Sequence, residues 1–237
     1  MHMPSNLINE HFDDRYFDVI SALDEAQHVF FANNNLLERL AAGAGSGLSF
    51  VIGETGFGAG RNVVSLMEYL SKDGLANLDI DYFTVELYPL SVERMLSILS
   101  GFRDRVGAEI DCLVDAYRQI DLDVPGWHTM IIDRPFGTIS LHLWLGEAME
   151  MIQALEHPCE IWFLDGHGPK KNPLMWRSEL MLAIADKTEP GGSCATFTVA
   201  GDVKRSLTAA GFHVNKRPGF GGKREVLQAM KTKATVL

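Results

Sequence analysis

The stretch SFVIGETGFGAGRNVVSLMEYLSKDG, residues 49 to 74, changes its period midway. Its first six residues form an apolar run that stops at a carboxylate, and they predict a buried parallel strand closing near Glu54. Gly56, Gly58 and Gly60 then alternate, and from Arg61 onward apolar residues recur at helical spacing. Strand, glycine turn and helix in immediate succession open a βαβ unit, in which the glycines let the main chain turn tightly and approach a ligand. A purely structural loop would use the same residues. The lysine and following Ser or Thr of a phosphate-binding P-loop are absent, which disfavours a kinase or ATPase.

Working outward, DYFTVE predicts a second strand ending at Glu86, and PLSVERMLSILSGF a helix with Pro89 tolerated in its first turn. Residues 108 to 125 are ambiguous. WHTMIID and GTISLHLWLG flank a short turn at 134 to 136 and predict a hairpin; EAMEMIQALE predicts a helix and EIWFLD a strand ending at Asp165. PLMWRSELMLAIADK continues as a helix, the PGG at 190 to 192 marks a turn, and SCATFTVA is a buried strand. DVKRSLTAAG is a short helix, followed by FHVNKR and REVLQAM as two strands joined by PGFGG. This alternation predicts a mostly parallel sheet with helices on both faces. Ligands of such sheets sit beyond the C-terminal strand ends, where Glu54, Glu86, Gly146, Glu147 and Asp165 all fall.

At 237 residues and 46% hydrophobic content the chain can bury one substantial core. We expect an N-terminal segment, 1 to 47, packing on a catalytic domain, 48 to 237, with AAGAGSG at 41 to 47 as the connector. Cys112, Cys159 and Cys194 are widely spaced and suggest neither a zinc knuckle nor a disulfide framework, so no metal is expected. No targeting leader or membrane span is legible, and a cytoplasmic setting fits best. The net charge of −10 argues weakly against nonspecific adhesion to nucleic acid, yet from Lys204 onward eight Lys or Arg residues face one acidic residue, Glu225. That tail is either solvated decoration or a basic face on an acidic body.

Glu86 narrows the chemistry. A carboxylate ending the second strand can accept both ribose hydroxyls of an adenosyl nucleoside, which suits NAD or S-adenosylmethionine. Glu54 before the glycine turn matches a sulfonium and amino-acid ligand better than a pyrophosphate, whose negative charge it would oppose. Both carboxylates could instead be a turn cap and a strand terminus.

Seven segments in order then carry a resemblance: FDDRYF (12 to 17), GETGFGAGRN (53 to 62), VELYPLS (85 to 91), LWLGEAME (143 to 150), WFLDGHGPKKNPLMW (162 to 176), PGGSCATFTVAGDVKRSL (190 to 207) and KRPGFGGKREVL (216 to 227). They resemble the methyltransferase domain of the bifunctional tRNA 5-methylaminomethyl-2-thiouridine biosynthesis protein and its stand-alone relatives. The resemblance implies a Rossmann-like class I S-adenosylmethionine-dependent methyltransferase. Its sheet would be mostly parallel and seven-stranded, with an antiparallel C-terminal strand. The implied reaction moves a methyl group to the aminomethyl group on the wobble uridine of tRNA, leaving S-adenosylhomocysteine. Glu54, Thr55, Gly56, Phe57, Gly58, Gly60 and Asn62 would surround the methionine part of the cofactor, Glu86 its ribose, and Gly146 and Glu147 its adenine. Asp165 would sit beside the methyl group as the catalytic residue. The chain is too short to include the flavin oxidoreductase half of the bifunctional relatives, so FAD is not expected.

In-line displacement needs a neutral amine lone pair facing the sulfonium methyl. Asp165, whose ordinary acidity makes it a weak base, is better suited to align the amine N–H groups and stabilise the cationic product than to remove a proton. On the substrate side we expect Tyr16, Phe17, His167 and Trp176 to shape the pocket. Lys170, Lys171, Arg217, Lys223 and Arg224 would meet tRNA phosphates. Core packing for Trp176 and solvation for the lysines are the plainer alternatives, and helix-start charge compensation is the plainer role for Glu147. Four positions depart from the family pattern: His167 and Gly168 stand where Phe-Ala is more usual, Gly222 where a basic residue is frequent, and Arg61 where an apolar residue is expected. A methyltransferase for another amine or nucleic acid, and a noncatalytic tRNA-binding protein on the same fold, remain alternatives.

Overall fold

The computed structural model describes residues 8, 9, 11, 14, 15, 21–43, 47–222 and 224–232. Ile8–Asn9 (β1) pairs antiparallel with Asp14–Arg15 (β2). Ala22–Ala26 (α1) leads through a π-helical turn at Gln27–Phe31 and a 3-10 turn at Ala32–Asn34 into Leu36–Gly43 (α2). Then follow Phe50–Glu54 (β3), Arg61–Asp73 (α3), Leu78–Glu86 (β4), Val92–Leu99 (α4) and Arg103–Tyr117 (α5). Gly126–Arg134 (β5) and Gly137–Leu145 (β6) come next, then Ala148–Ala154 (α6), Cys159–Phe163 (β7), Ser178–Asp186 (α7) and Thr188–Thr196 (β8). Gly201–Ala209 (α8), Phe212–Pro218 (β9) and Glu225–Lys231 (β10) complete the described chain.

The main sheet runs β5-β6-β4-β3-β7-β8-β10-β9. Neighbours from β6 to β8 are parallel, β10 lies antiparallel between β8 and β9, and β5 is antiparallel to β6. This is the expected Rossmann-like arrangement with its reversed C-terminal strand, but the sheet has eight strands rather than seven. The 127–146 hairpin adds β5 to the edge beyond β6, because nine consecutive residue pairs zip the two strands together.

Alternation along β7 shows why the strands are apolar throughout. Ile161 and Phe163 enter one core with α3, α4, α5 and the N-terminal residues Phe30, Phe31 and Leu36, whereas Trp162 and Leu164 enter a second core with α6, α7 and α8. A strand buried on both faces cannot alternate polar and apolar. Asn34 fastens the N-terminal turns to the sheet: its Nδ2 donates to Trp162 O at 3.4 Å and its Oδ1 accepts from Ser193 Oγ at 2.6 Å.

Two local expectations change. The PGG at 190 to 192 is not a turn but lies inside β8, beside a register shift against β7 between Cys159 and Ile161. Proline and glycine are admitted to strands at such irregularities. The ambiguous 108–125 region is helical as far as Tyr117. No described helix is long and apolar enough to cross a membrane.

Candidate active site

Parallel strands β3, β4, β6 and β7 bring their C-terminal ends to one edge of the sheet, and loops stitch these ends together. Thr55 N donates to Phe163 O at 3.2 Å, Phe57 N to Val85 O at 2.9 Å, and Gly146 N to Glu86 O at 3.1 Å. A cleft of about 220 Å³ opens there. One wall is the glycine loop with Gly56, Phe57, Gly58, Arg61 and Asn62; the β4 end supplies Glu86, Leu87 and Tyr88; the start of α6 supplies Gly146 and Glu147. Asp165, Gly166 and His167 after β7, with Asn172, Leu174, Met175 and Arg177, close the other side.

The glycine loop lies tight against the end of β7. A Cβ on Gly56 would stand 3.3 Å from Gly166 Cα and 3.4 Å from Asp165 O, so a side chain there would push the two apart. Thr55 Oγ1 donates to Asp165 O at 2.7 Å and fixes that seam.

Behind the loop runs a chain of polar groups. Thr84 Oγ1 donates to Glu54 Oε2 at 2.6 Å, and Asn62 Nδ2 bridges Glu54 Oε1 at 2.6 Å and Asp165 Oδ2 at 2.8 Å. Arg61 Nη2 donates to the same Asp165 oxygen at 2.7 Å, and Gly166 N to Asp165 Oδ1 at 2.8 Å. Glu54 is 1% exposed. Burial, reinforced by the negative charge of Asp165 and opposed by its hydrogen bonds to Thr84 and Asn62, pushes its carboxyl up to about 8. Glu86 is raised mainly by burial, against the Tyr88 and Gly58 N–H groups that donate to Oε1 and Oε2 at 2.9 Å each. The Leu87 N–H also acts on this carboxylate, which borders the cleft and can accept hydroxyl donors such as a ribose diol.

The residues anticipated from sequence separate into groups. Gly56, Phe57, Gly58, Asn62, Glu86, Gly146, Glu147, Asp165 and His167 meet around the cleft. Glu54 and Thr55 are buried behind it, and Gly60 opens α3 with a positive φ of 75°. Glu147 caps α6 in a reciprocal capping box with Glu150, so the helix-start role is present at a residue that also lines the cleft. Trp176 is 5% exposed and packs in the second core; its Nε1 donates to His167 O at 2.8 Å, supporting the loop from behind. Lys170 and Lys171 are exposed outside the cleft lining, and Arg217 and Arg224 lie at the β9–β10 turn, on the same edge of the sheet. Arg217 Nε donates to Gln228 Oε1 at 2.7 Å. Tyr16, Phe17 and Lys223 lie outside the described residues.

Sequence reasoning did not place Arg61, Tyr88, Asn172 or Arg177 in the cleft. Arg61 carried a signal: a cation in the first turn of a helix opposes the helix dipole and calls for a specific anionic partner. Tyr88 is also where the N-terminal segment touches the site, its ring stacked on His11 at 4.0 Å between centroids.

A model of the family described as S-adenosyl-L-methionine-dependent methyltransferase matches residues 112–232. The chain belongs to that family. The Rossmann-like methyltransferase fold accords with that family, and S-adenosylmethionine is the methyl donor. Two similar proteins are both the tRNA 5-methylaminomethyl-2-thiouridine biosynthesis bifunctional protein MnmC. The one from Chromobacterium violaceum is 38% identical over 215 residues, 91% of this chain and 32% of that protein. The one from Pseudomonas fluorescens (strain Pf0-1) is 38% identical over 217 residues, 92% and 32% respectively. The methyltransferase thus spans about a third of the length of these relatives. MNMC2 from Aquifex aeolicus superposes with a TM-score of 0.71 at 21% identity, over 97% of this chain and 67% of that one, which supports the fold.

Proposed function

We propose that this methyltransferase transfers the methyl group of S-adenosylmethionine to the 5-aminomethyl group of the wobble (2-thio)uridine of tRNA. Fold and cofactor cleft do not select a substrate. The observation that carries the assignment is the extent of the likeness to the MnmC proteins: 38% identity through nine-tenths of the chain.

Within this reading each wall of the cleft has a task. Glu86 holds the ribose hydroxyls, the Gly56–Gly58 turn accommodates the amino-acid end of the cofactor, and Gly146 with Glu147 borders the adenine. The bound cofactor supplies an electrophilic methyl group on a sulfonium. Asp165 holds the acceptor amine: Oδ2 already has two donors and Oδ1 one, so Oδ1 retains an acceptor site for an amine N–H. His167 borders the acceptor, while Lys170, Lys171, Arg217, Lys223 and Arg224 engage phosphates. We place the protein in the cytoplasm, with its tRNA.

The test is incubation of purified protein with methyl-labelled S-adenosylmethionine and tRNA from cells lacking the final methylation, followed by nucleoside mass analysis. Label on the wobble aminomethyl group is the expected result. Label confined to other nucleosides rejects the substrate while leaving the methyltransferase.

A further inference from the structure

Arg61 stands where its neighbours in the glycine turn gave no reason to expect a charge, and its guanidinium is not spent on solvent. The Arg61 and Asp165 side chains are 11% and 16% exposed, lie 2.7 Å apart, and both border the cleft. Arg61 Nε also reaches Asn62 Oδ1 at 3.2 Å, so Arg61 and Asn62 together grip Asp165 Oδ2 from α3. Resting on the substrate reading above, we propose that Arg61 is a positioning residue that balances the charge of Asp165, so that the site takes up the acceptor amine in its neutral, reactive form.

An unbalanced carboxylate in a cleft of reduced dielectric attracts an alkylammonium as an ion pair. The nitrogen lone pair then holds a proton and cannot attack. A carboxylate already paired with a guanidinium offers no such surplus charge, which replaces the product-stabilising role expected of Asp165 by one of orientation, yet its Oδ1 still accepts a hydrogen bond from a neutral amine. The other charged or titratable groups around the pair are Glu54 behind Asn62, Tyr82 buried on β4 behind Glu54, Glu86 and Tyr88 at the β4 end, Glu147 at the start of α6, His167 after β7 and Arg177 before α7. Glu86 accepts from the Gly58 and Tyr88 backbone N–H groups at the far, ribose side of the proposed cofactor site. In the transfer the amine lone pair forms the N–CH3 bond while the S–CH3 bond breaks, its electron pair remaining on sulfur as the neutral thioether. The resulting secondary ammonium releases one proton to water.

The experiment compares kcat and KM for undermethylated tRNA in the parent, Arg61→Leu, Arg61→Gln and Arg61→Lys proteins across pH, with calorimetric titration of S-adenosylmethionine. The expected result for Leu and Gln is a kcat loss of about tenfold or more near pH ~7 that closes to about twofold near pH ~9.5, where the amine is increasingly neutral in solution. Cofactor Kd should stay within about threefold, and Lys should restore the parental profile at both ends. Glu54 also titrates in this range and feels the charge of Asp165, so the parent and the Arg61 variants are compared again in a Glu54→Gln background, where the same pH-dependent ratio is expected and its disappearance assigns the effect to Glu54 and overturns the proposal. Should the Leu protein melt early, the Gln protein carries the test. A deficit constant across pH, or failure of Lys to rescue, overturns the proposal. A loss of cofactor affinity beyond about tenfold also overturns it, assigning Arg61 to the cofactor carboxylate. If the parent itself leaves wobble aminomethyl-uridine unlabelled, the substrate reading fails and this proposal with it; label in the parent with a pH-independent ratio rejects Arg61 alone.

Discussion

Two carboxylates joined through one amide nitrogen behave differently because one is sealed and the other meets the cleft. Within the proposed function Asp165 holds the acceptor amine, so Asp165→Asn should lower methyl transfer about 100-fold while leaving cofactor Kd within about threefold. Equal turnover of mutant and parent at saturating cofactor would remove Asp165 from the chemistry. Glu54 makes a prediction about stability instead. Its folded-state value of about 8 lies above the ordinary 4.5, so between those limits the folded chain retains a proton that the unfolded chain releases. Stability linked to Glu54 is therefore fully present below about 4.5 and is lost as pH rises toward 8. Glu54→Gln keeps a hydrogen-bonding side chain without the ionisation. It should be more stable than the parent by about 2–4 kcal/mol at pH ~8, with no decline across the window. Urea unfolding at several pH values measures this, and parallel curves for the two proteins would show that another group is responsible.

At the scale of elements, the close packing of β3 on β7 decides where the cleft lies. Gly53 sits opposite Trp162, and a Cβ there would come within 2.3 Å of the indole. Gly53→Ala should cost about 2–4 kcal/mol, since the ring is fully buried and has nowhere to move. Thermal melting checks this, and an unchanged Tm would mean that the strands separate more readily than their packing implies. The pairing also explains what was legible locally. β3, β4, β6 and β7 could be read as apolar runs ended by polar or glycine residues, and their C-terminal ends named Glu54, Glu86, Gly146 and Asp165 in advance. The Pro190–Gly192 segment reads as a turn because turn-forming residues at a strand irregularity look identical in sequence to a true turn. In the sequence Arg61 reads only as a departure from the family pattern, because its partner Asp165 is 104 residues away.

Across the whole molecule, the acidic net charge conceals an asymmetry. The β9–β10 turn carrying Arg217 and Arg224 and the loop carrying Lys170 and Lys171 occupy the same edge of the sheet as the cleft, separated by strands β8 and β10. At about 4.8 Å per strand, that edge offers a track of roughly 15 Å from the cleft to the far turn, enough for a few phosphates of a folded nucleic acid. Within the tRNA reading, Lys170→Glu with Lys171→Glu should weaken tRNA binding and flatten its dependence on salt, the slope of log K against log salt falling by about 1 for each phosphate that the variant no longer neutralises. Cofactor affinity should be unchanged. A salt slope identical to the parent's would move the tRNA surface elsewhere. Lys216 pairs with Glu225 at 2.6 Å.

Fold class, strand order of appearance and the four strand ends that build the cleft are properties of local pattern, since apolar period and glycine placement act over a few residues and survive in the bare sequence. The lateral order of the strands across the sheet, the withdrawal of Glu54 and Trp176 behind the cleft, and the Arg61–Asn62–Asp165 cluster are not local. They arise because residues distant along the chain are brought to the same end of neighbouring strands, where burial sets their charge states and their partners fix their orientation.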